Sequence, residues 1–167
     1  VLLDSLIIAP NTTLTIQEGT EIYVHAQSPI IIQGTLIAEG TKNHEVIFRS
    51  DRLDEYYRDI PGSWMGITFS KTSKNNVLTF SIIRNASQAI HIEEPNIFPT
   101  GNVHVTLHQC IVDHASTYGI WAKHSTIDAD NCLISNCNQG IHIEKGGRYS
   151  FQNCTVSGYS TLYLLRT

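Results

Sequence analysis

The sequence is poor in basic residues, and this scarcity limits what the protein can bind. Its 167 residues include 11 Lys and Arg against 15 Asp and Glu, which gives a formal net charge of -4. A nucleic-acid ligand needs a basic surface to neutralise its phosphates, so we expect no nucleic-acid partner. Charged residues make up 16% of the chain and hydrophobic residues 41%, a balance typical of one globular domain rather than of a disordered segment.

The sequence also lacks a long hydrophobic run. Its apolar stretches, such as Ile30 to Ile32, end within a few residues, whereas a membrane-spanning helix needs about 20. We therefore expect no transmembrane segment in this chain. The chain starts at Val1 rather than at Met, and Leu162 to Leu165 forms an apolar end without a polar cap. These two features favour a segment of a longer polypeptide.

Four cysteines occur, all in the second half, and none belongs to a CxxC pair or to the Cys/His spacing of a zinc site. We therefore expect neither a metal ion nor a cofactor. Cys110, Cys132 and Cys154 are instead separated by two equal intervals. Equal spacing indicates a structural repeat before it indicates a disulfide framework.

The residues around these cysteines repeat with them. Segments that begin at Gln109, Asn131 and Asn153 align without gaps, and Gly-Ile units follow the first two at Gly119 and Gly140. Leu14 to Thr20 recurs as Thr35 to Thr41, at nearly the same interval. Within each unit apolar residues alternate with polar ones, which is the pattern of strands with one buried face. Gly, Asn, Ser and Asp separate the strands, as sharp turns require.

Several short strands in each unit, with no helical segment between them, predict an all-β parallel β-helix. In this solenoid each strand stacks on the equivalent strand of the next coil. The length predicts about six to seven coils of about 22 residues each. We expect residues 1–167 to form one domain, with insertions at about 49–63 and 93–102.

Stacking turns the repeated positions into ladders. We expect Cys110, Cys132 and Cys154 to form an inward thiol ladder. Two rows of polar side chains should lie at or near the corners and hydrogen-bond along the stack. These rows are Gln109, Asn131 and Asn153, and Asn85, His114 and Asn136.

The sequence resembles the right-handed parallel β-helices of the pectate-lyase-like superfold, and more narrowly the exported β-helix repeat proteins of Bacteroidetes-type bacteria. The resemblance covers nearly the whole chain. It implies right-handed coiling and an extracellular or cell-surface location, whereas activity must be argued from individual sites because one fold hosts many chemistries. The matching residues are Leu14 to Thr20, Gly34 to Thr41, Val46 to Phe48, Gly62 to Phe69 and the Asn-Cys and Gly-Ile units.

The first candidate site is the insertion at 49–63. It combines seven charged residues with Tyr56 and Tyr57, and Trp64 follows directly. Aromatic rings and paired charges suit a sugar-binding ledge, since rings contact pyranose faces while charged groups bind hydroxyls. In the alternative interpretation the charges pair with one another and only solubilise a loop.

The second candidate is an outward row that would support acid/base cleavage of a polysaccharide. If Ile127 and Ala129 face inward, Asp128 and Asp130 share the outer face, with His108 one rung away and Arg148 at the edge. The motifs of pectate lyases and polygalacturonases do not occur. Calcium binding belongs only to the lyase alternative, and these carboxylates are otherwise expected to be solvated.

The third candidate is the row His91, Trp121 and His142, with Glu93, Lys123 and Glu144 beside it. An exposed Trp on a sheet face often marks a binding site. The alternatives are an ordinary amphipathic strand face and a strip that is covered by further chain. The two histidines lie two rungs apart, which is too far for one zinc ion.

The sequence favours a non-catalytic, exported or surface β-helix module that binds carbohydrate or protein. The first alternative is a polysaccharide lyase or glycoside hydrolase that uses Asp128, Asp130, His108 and Arg148. The second is a structural stalk or adhesin segment. A binding module needs exposed aromatic residues, an enzyme needs clustered outward carboxylates, and a stalk needs neither.

Overall fold

The structure, a computed structural model, describes residues 1–93 and 104–158. Its only helix there is a 3-10 turn, Glu55–Tyr57, and its other elements are sixteen strands.

The strands form three faces of a solenoid, and neighbouring strands in each face are parallel. Face 1 contains β1 (Leu6–Ile8), β4 (Ile30–Ile32), β7 (Ile67–Phe69) and β10 (Gln88–Ile92). Face 2 contains β2 (Thr13–Gln17), β5 (Thr35–Glu39), β8 (Asn76–Thr79) and β11 (His104–His108). Face 3 contains β3 (Glu21–Val24), β6 (Val46–Ser50), β9 (Ser81–Arg84), β12 (Ile111–Asp113), β14 (Leu133–Cys137) and β16 (Thr155–Gly158).

Two long strands complete faces 1 and 2. The first half of β13 (Tyr118–Asp130) pairs with β10 on face 1, and its second half pairs with β11 on face 2. β15 (Gln139–Gln152) pairs with β13 along both halves, with a register shift between Lys123 and Ser125. His124 occupies this shift with a φ of 43°, a left-handed conformation that turns the strand from one face to the next. The chain therefore forms the predicted parallel β-helix.

The repeat in the first half differs from the predicted one by a single position. The prediction aligns Leu14 with Thr35, whereas β2 and β5 pair Leu14 with Leu36 and Ile16 with Ala38. The predicted alignment matches the Gly-Thr turns, which follow the strands. A shift by one position would reverse the inward and outward faces of a strand. Because Leu36 and Ala38 are buried, β5 pairs with β2 at an offset that is one residue longer than predicted.

The core fills the space between the three faces. Its side chains are aliphatic residues with a few aromatic rings, and Phe48, Trp64 and Phe69 are the largest. Strands such as β5 and β6 alternate between buried and more exposed residues. Ile127 and Ala129 face inward, as predicted, and Asp128 and Asp130 therefore lie on the outside of face 2.

Single left-handed residues form the corners. Gln109, Asn131 and Asn153 have φ values of 52° to 53° between faces 2 and 3. Asn85 and His114 directly follow strands of face 3, and Asn136 lies near the end of β14. Their φ values of 50° to 63° confirm that both predicted rows lie at or near the corners. Their amides bond differently from expected, because they donate to carboxylates and backbone carbonyls rather than to one another.

Residues 51–66 connect β6 to β7, and buried Asn85 holds this loop. Its Nδ2 donates hydrogen bonds of 3.1 Å to the carbonyls of Arg58 and Ile60. The loop therefore leaves the solenoid at the corner where face 1 begins. The insertion predicted at about 93–102 lies outside the described residues except for Glu93, and the apolar segment Leu162 to Leu165 also lies outside them.

Candidate functional site

The third predicted row forms a continuous strip of rings on the outside of face 1. Strand pairing places His91 opposite Trp121 and Trp121 opposite His142 on three successive coils. The His91 and Trp121 rings stack with centroids 4.4 Å apart and planes 10° apart. Tyr118 joins the strip, with its centroid 5.3 Å from that of Trp121 and 5.1 Å from that of His142. We call these four residues the ring strip.

Charged groups border the ring strip on one side. Lys123 Nζ lies 4.5 Å from the Trp121 ring centroid and 3.4 Å from Glu144 Oε2. His142 Nε2 lies 2.9 Å from Glu144 Oε1. The hydrogen bond with His142 is the main cause that lowers the pKa of Glu144, and Lys123 adds to it. The border therefore presents an ionised carboxylate beside an ammonium group.

The imidazole of His91 is held neutral by its surroundings. Burial is the largest cause that lowers its pKa, Glu93 opposes this effect, and Lys123 lowers the pKa further. A neutral imidazole has one nitrogen that donates and one that accepts a hydrogen bond. The His91 side chain can therefore donate a hydrogen bond to a ligand hydroxyl group or accept one from it.

The ring strip is less exposed than the sequence suggested. Trp121 is only partly exposed, and its Nε1 is buried without a hydrogen-bond partner among the described residues. The stacked His91 ring covers one part of the indole and Lys123 lies over it as well. A ligand would thus meet ring edges and polar groups rather than a bare indole face.

Sequence reasoning missed Tyr118. A signal for it is present, because Tyr118 lies in register with Gln88 and Gln139 and is the aromatic member of that row. The Gly-Ile units, aligned from Gly119 onward, begin one position too late to include it.

The second predicted site consists of two His–Asp pairs on face 2. His108 Nδ1 lies 3.2 Å from Asp130 Oδ2, across one rung, and His104 Nε2 lies 3.0 Å from Asp128 Oδ2. All four side chains are more than one-third exposed. Arg148 is exposed and in register with Thr126, which places it at the edge of this group.

Sequence reasoning also missed His104. The direct neighbour of Asp128 is Thr106, and His104 reaches the carboxylate diagonally from two positions earlier. A pattern of direct neighbours cannot reveal a diagonal contact, although such contacts lie within reach of long side chains.

The aromatic residues of the first predicted site, Tyr56, Tyr57 and Trp64, do not form one surface in the structure. Tyr56 is 78% exposed and its ring packs edge-on against Tyr57, with centroids 5.0 Å apart. Arg52 lies over the Tyr57 ring at 3.8 Å and approaches Asp54 at 3.8 Å. These contacts leave Tyr56 as the exposed ring of the loop.

Trp64 does not contribute to a sugar-binding ledge, and this prediction was wrong. It is 1% exposed, and its Nε1 donates a hydrogen bond of 2.8 Å to the carbonyl of Arg84. The indole thus fills the core beneath the loop, since its polar atom finds a buried acceptor there.

The thiol ladder is present as predicted. Cys110 and Cys132 are buried and Cys154 is partly buried, and all three are free thiols. The neighbouring thiol of Cys110 and, less strongly, that of Cys154 lower the pKa of Cys132 to about 7. The neighbouring Cys132 thiol, followed by burial, raises the pKa of Cys110, and burial raises that of Cys154.

Comparison with known proteins supports the fold. The family model described as right-handed beta helix region matches residues 4–156. A search of curated proteins and a search of solved structures each found no significant match. Within residues 1–93 and 104–158, no three His, Cys, Asp or Glu side chains are grouped to hold a metal ion, and no helix is long and apolar enough to cross a bilayer.

Proposed function

Because the chain belongs to the right-handed β-helix family, we propose that it is a non-catalytic module that binds carbohydrate through the ring strip of face 1. A shared fold leaves the activity open, so the proposal depends on the site itself. The observation that carries it is the contiguous strip of His91, Tyr118, Trp121 and His142 across three coils.

Three properties of the ring strip support a glycan ligand. It lies outside the core, so packing does not require four rings there. It runs along the solenoid axis, which suits an extended polymer. Neutral His91, together with the ion pair of Lys123 and Glu144, provides both donors and acceptors for hydroxyl groups. We further propose an extracellular or cell-surface location, on the basis of the resemblance to exported β-helix proteins.

The loop at 51–66 offers a second contact for the same ligand. It leaves the solenoid where face 1 begins, and its exposed ring is Tyr56. Tyrosine combines an apolar ring with a polar hydroxyl, which is why it is common in binding surfaces. We propose that Tyr56 and Tyr57 extend the ring strip at this end.

The test is a glycan array followed by affinity measurements on the polysaccharide that binds best. Trp121→Ala should weaken binding about tenfold, equivalent to about 1.4 kcal/mol, because it removes the central ring. Thr15→Ala, an exposed position on the outside of face 2 and away from both candidate sites, is the control and should bind as the wild type does. Equal affinity of the Trp121→Ala and wild-type proteins would contradict the proposal, provided that circular dichroism shows both folded.

The alternative function is cleavage of a polysaccharide on face 2. The observation in its favour is the presence of two His–Asp pairs, at 3.0 and 3.2 Å, on one exposed surface. If the protein shortens an acidic or plant polysaccharide, with or without calcium, and the double variant Asp128→Asn/Asp130→Asn stops it, this surface is an active site. A wild-type protein that neither binds nor cleaves any polysaccharide would favour a stalk.

A further inference from the structure

The thiol ladder is a second chemical feature, and the proposed function does not use it. The backbone N–H of Leu133 donates to the carbonyl of Cys110 at 2.9 Å, and that of Thr155 donates to the carbonyl of Cys132 at 2.8 Å. These bonds place the three ladder cysteines on successive coils.

The three thiols point the same way. Each sulfur lies within hydrogen-bond distance of the carbonyl two positions before it, at 3.5 Å for Cys110, 3.3 Å for Cys132 and 3.1 Å for Cys154. Equivalent contacts indicate equivalent side-chain conformations. Neighbouring sulfur atoms are therefore held about one strand spacing apart, about 4.8 Å.

This spacing suits a disulfide poorly. A disulfide needs an S–S bond of about 2.05 Å and Cβ atoms about 3.5–4.5 Å apart, whereas parallel side chains on adjacent rungs are separated by a full strand spacing. A metal ion between two sulfur atoms fits better. With metal–sulfur bonds of about 2.3 Å, a linear bridge spans about 4.6 Å.

We propose that Cys132 and Cys154 form a two-coordinate site for a soft closed-shell cation, of which copper(I) is the biological example. Soft thiolates favour this ion over hard divalent cations. Two sulfur–copper bonds form, two S–H bonds break, and both protons pass to solvent. The oxidation state of copper and sulfur does not change, so no oxidant is required.

The location of Cys132 and Cys154 explains why we propose this pair rather than Cys110 and Cys132. Cys154 is partly exposed and gives an ion access from the last described coil, whereas Cys110 and Cys132 are buried. Cys110 and Cys132 belong to the apolar core, and Cys154 packs against it. The buried sulfur atom of Cys132 is therefore shielded from water, which favours coordination by sulfur rather than by solvent on that side of the ion.

The test adds copper(I), delivered anaerobically as its acetonitrile complex, to the reduced protein. Native mass spectrometry should show one retained copper ion and no retained acetonitrile, since the two sulfur atoms replace the acetonitrile ligands. Cys132→Ser and Cys154→Ser should each lose the ion. Cys137→Ser is the matched control, because Cys137 is a buried thiol with the same contact, 3.1 Å to the carbonyl two positions earlier, but lies outside the ladder.

A second readout works on the wild-type protein even if a serine variant fails to fold. Iodoacetamide under native conditions should modify Cys154 in the copper-free protein and leave it unmodified after loading. Retention of copper by Cys132→Ser, its loss from folded Cys137→Ser, or unchanged alkylation of Cys154 after loading would each overturn the proposal. So would the absence of any retained copper, or a copper-free protein whose mass is lower by two hydrogen atoms, which marks a disulfide.

Discussion

At the scale of single residues, Asp113 is the most heavily bonded carboxylate of the described chain. Its oxygens accept hydrogen bonds from Ser135 Oγ and Asn136 Nδ2 at 2.9 Å each and lie 2.7 Å from His114 Nδ1. Arg84 Nη2 lies 3.7 Å from Asp113 Oδ2. Burial alone would raise the pKa of Asp113, but the hydrogen bonds from Asn136, His114 and Ser135 outweigh it and lower the pKa. Asp113 thus links three coils at the corner between faces 3 and 1.

We predict that Asp113→Asn lowers the free energy of unfolding at pH 7 by about 2 kcal/mol, since hydrogen bonds to a charged group are lost. Because the folded-state pKa is lowered, this stabilisation is present above the ordinary value of about 3.9 and disappears as the pH falls through the folded value. Urea unfolding of both proteins at pH 7 and pH 3 measures the difference.

Asp54→Asn is the control for this prediction. The Asp54 side chain is 70% exposed and its contact with Arg52 is 3.8 Å long, so its replacement should change stability by less than about 1 kcal/mol. A constant difference between wild type and Asp113→Asn across the pH range would show that the carboxylate charge is not what stabilises this corner.

At the scale of elements, close stacking of β13 on β15 depends on a glycine. A Cβ atom added to Gly119 would lie 2.6 Å from the carbonyl oxygen of Gly140 and 2.8 Å from Ile134 Cγ2. A backbone carbonyl within a strand ladder cannot move without disturbing its neighbours. By contrast, a Cβ atom on Gly140 meets only side-chain atoms, of which Val156 Cγ1 is nearest at 2.6 Å.

We predict that Gly119→Ala lowers the free energy of unfolding by about 3 kcal/mol, at the upper end of typical overpacking costs. Gly140→Ala should cost about 1 kcal/mol or less, because Val156 is 51% exposed and can rotate away. Parallel urea titrations of the two variants measure this difference. Equal destabilisation would mean that the coils can separate enough to admit a methyl group at either position.

At the scale of the whole molecule, each coil contacts mainly the coils next to it. Among the described residues, strands of the three faces pair with equivalent strands above and below, and none pairs across the solenoid. Stability is therefore close to a sum of coil and interface terms, as in other solenoids. Coils with two neighbours gain two interfaces and the first described coil gains one.

We predict a gradient of amide hydrogen exchange along the chain. When residues 1–167 are studied without flanking chain, amides in β7 to β12 should exchange slowest, and those in β1 to β3 should exchange at least about tenfold faster, because fraying of one end coil breaks a single interface. Exchange followed by proteolysis and mass spectrometry measures this gradient. The same protection in all coils would show that the solenoid opens as one unit.

The sequence alone determined the fold, because each coil repeats the same pattern of inward apolar residues and turn residues. In the second half the spacing of the cysteines indicated which residues share a rung, and alternation decided which side chains face inward. In the first half the predicted register of β5 on β2 was wrong by one position. Asn and other turn residues that recur once per coil marked the left-handed corners. These signals are local or periodic, so they can be read without coordinates.

Only the tertiary structure decided which outward residues touch. Trp64 is the same residue type as Trp121, yet one fills the core and the other lies in the ring strip, because the path of the inserted loop differs from that of a regular coil. His104 reaches Asp128 diagonally and Tyr118 joins the strip at the start of β13. Such contacts depend on side-chain direction and on non-repeating loops, which the period of the sequence does not encode.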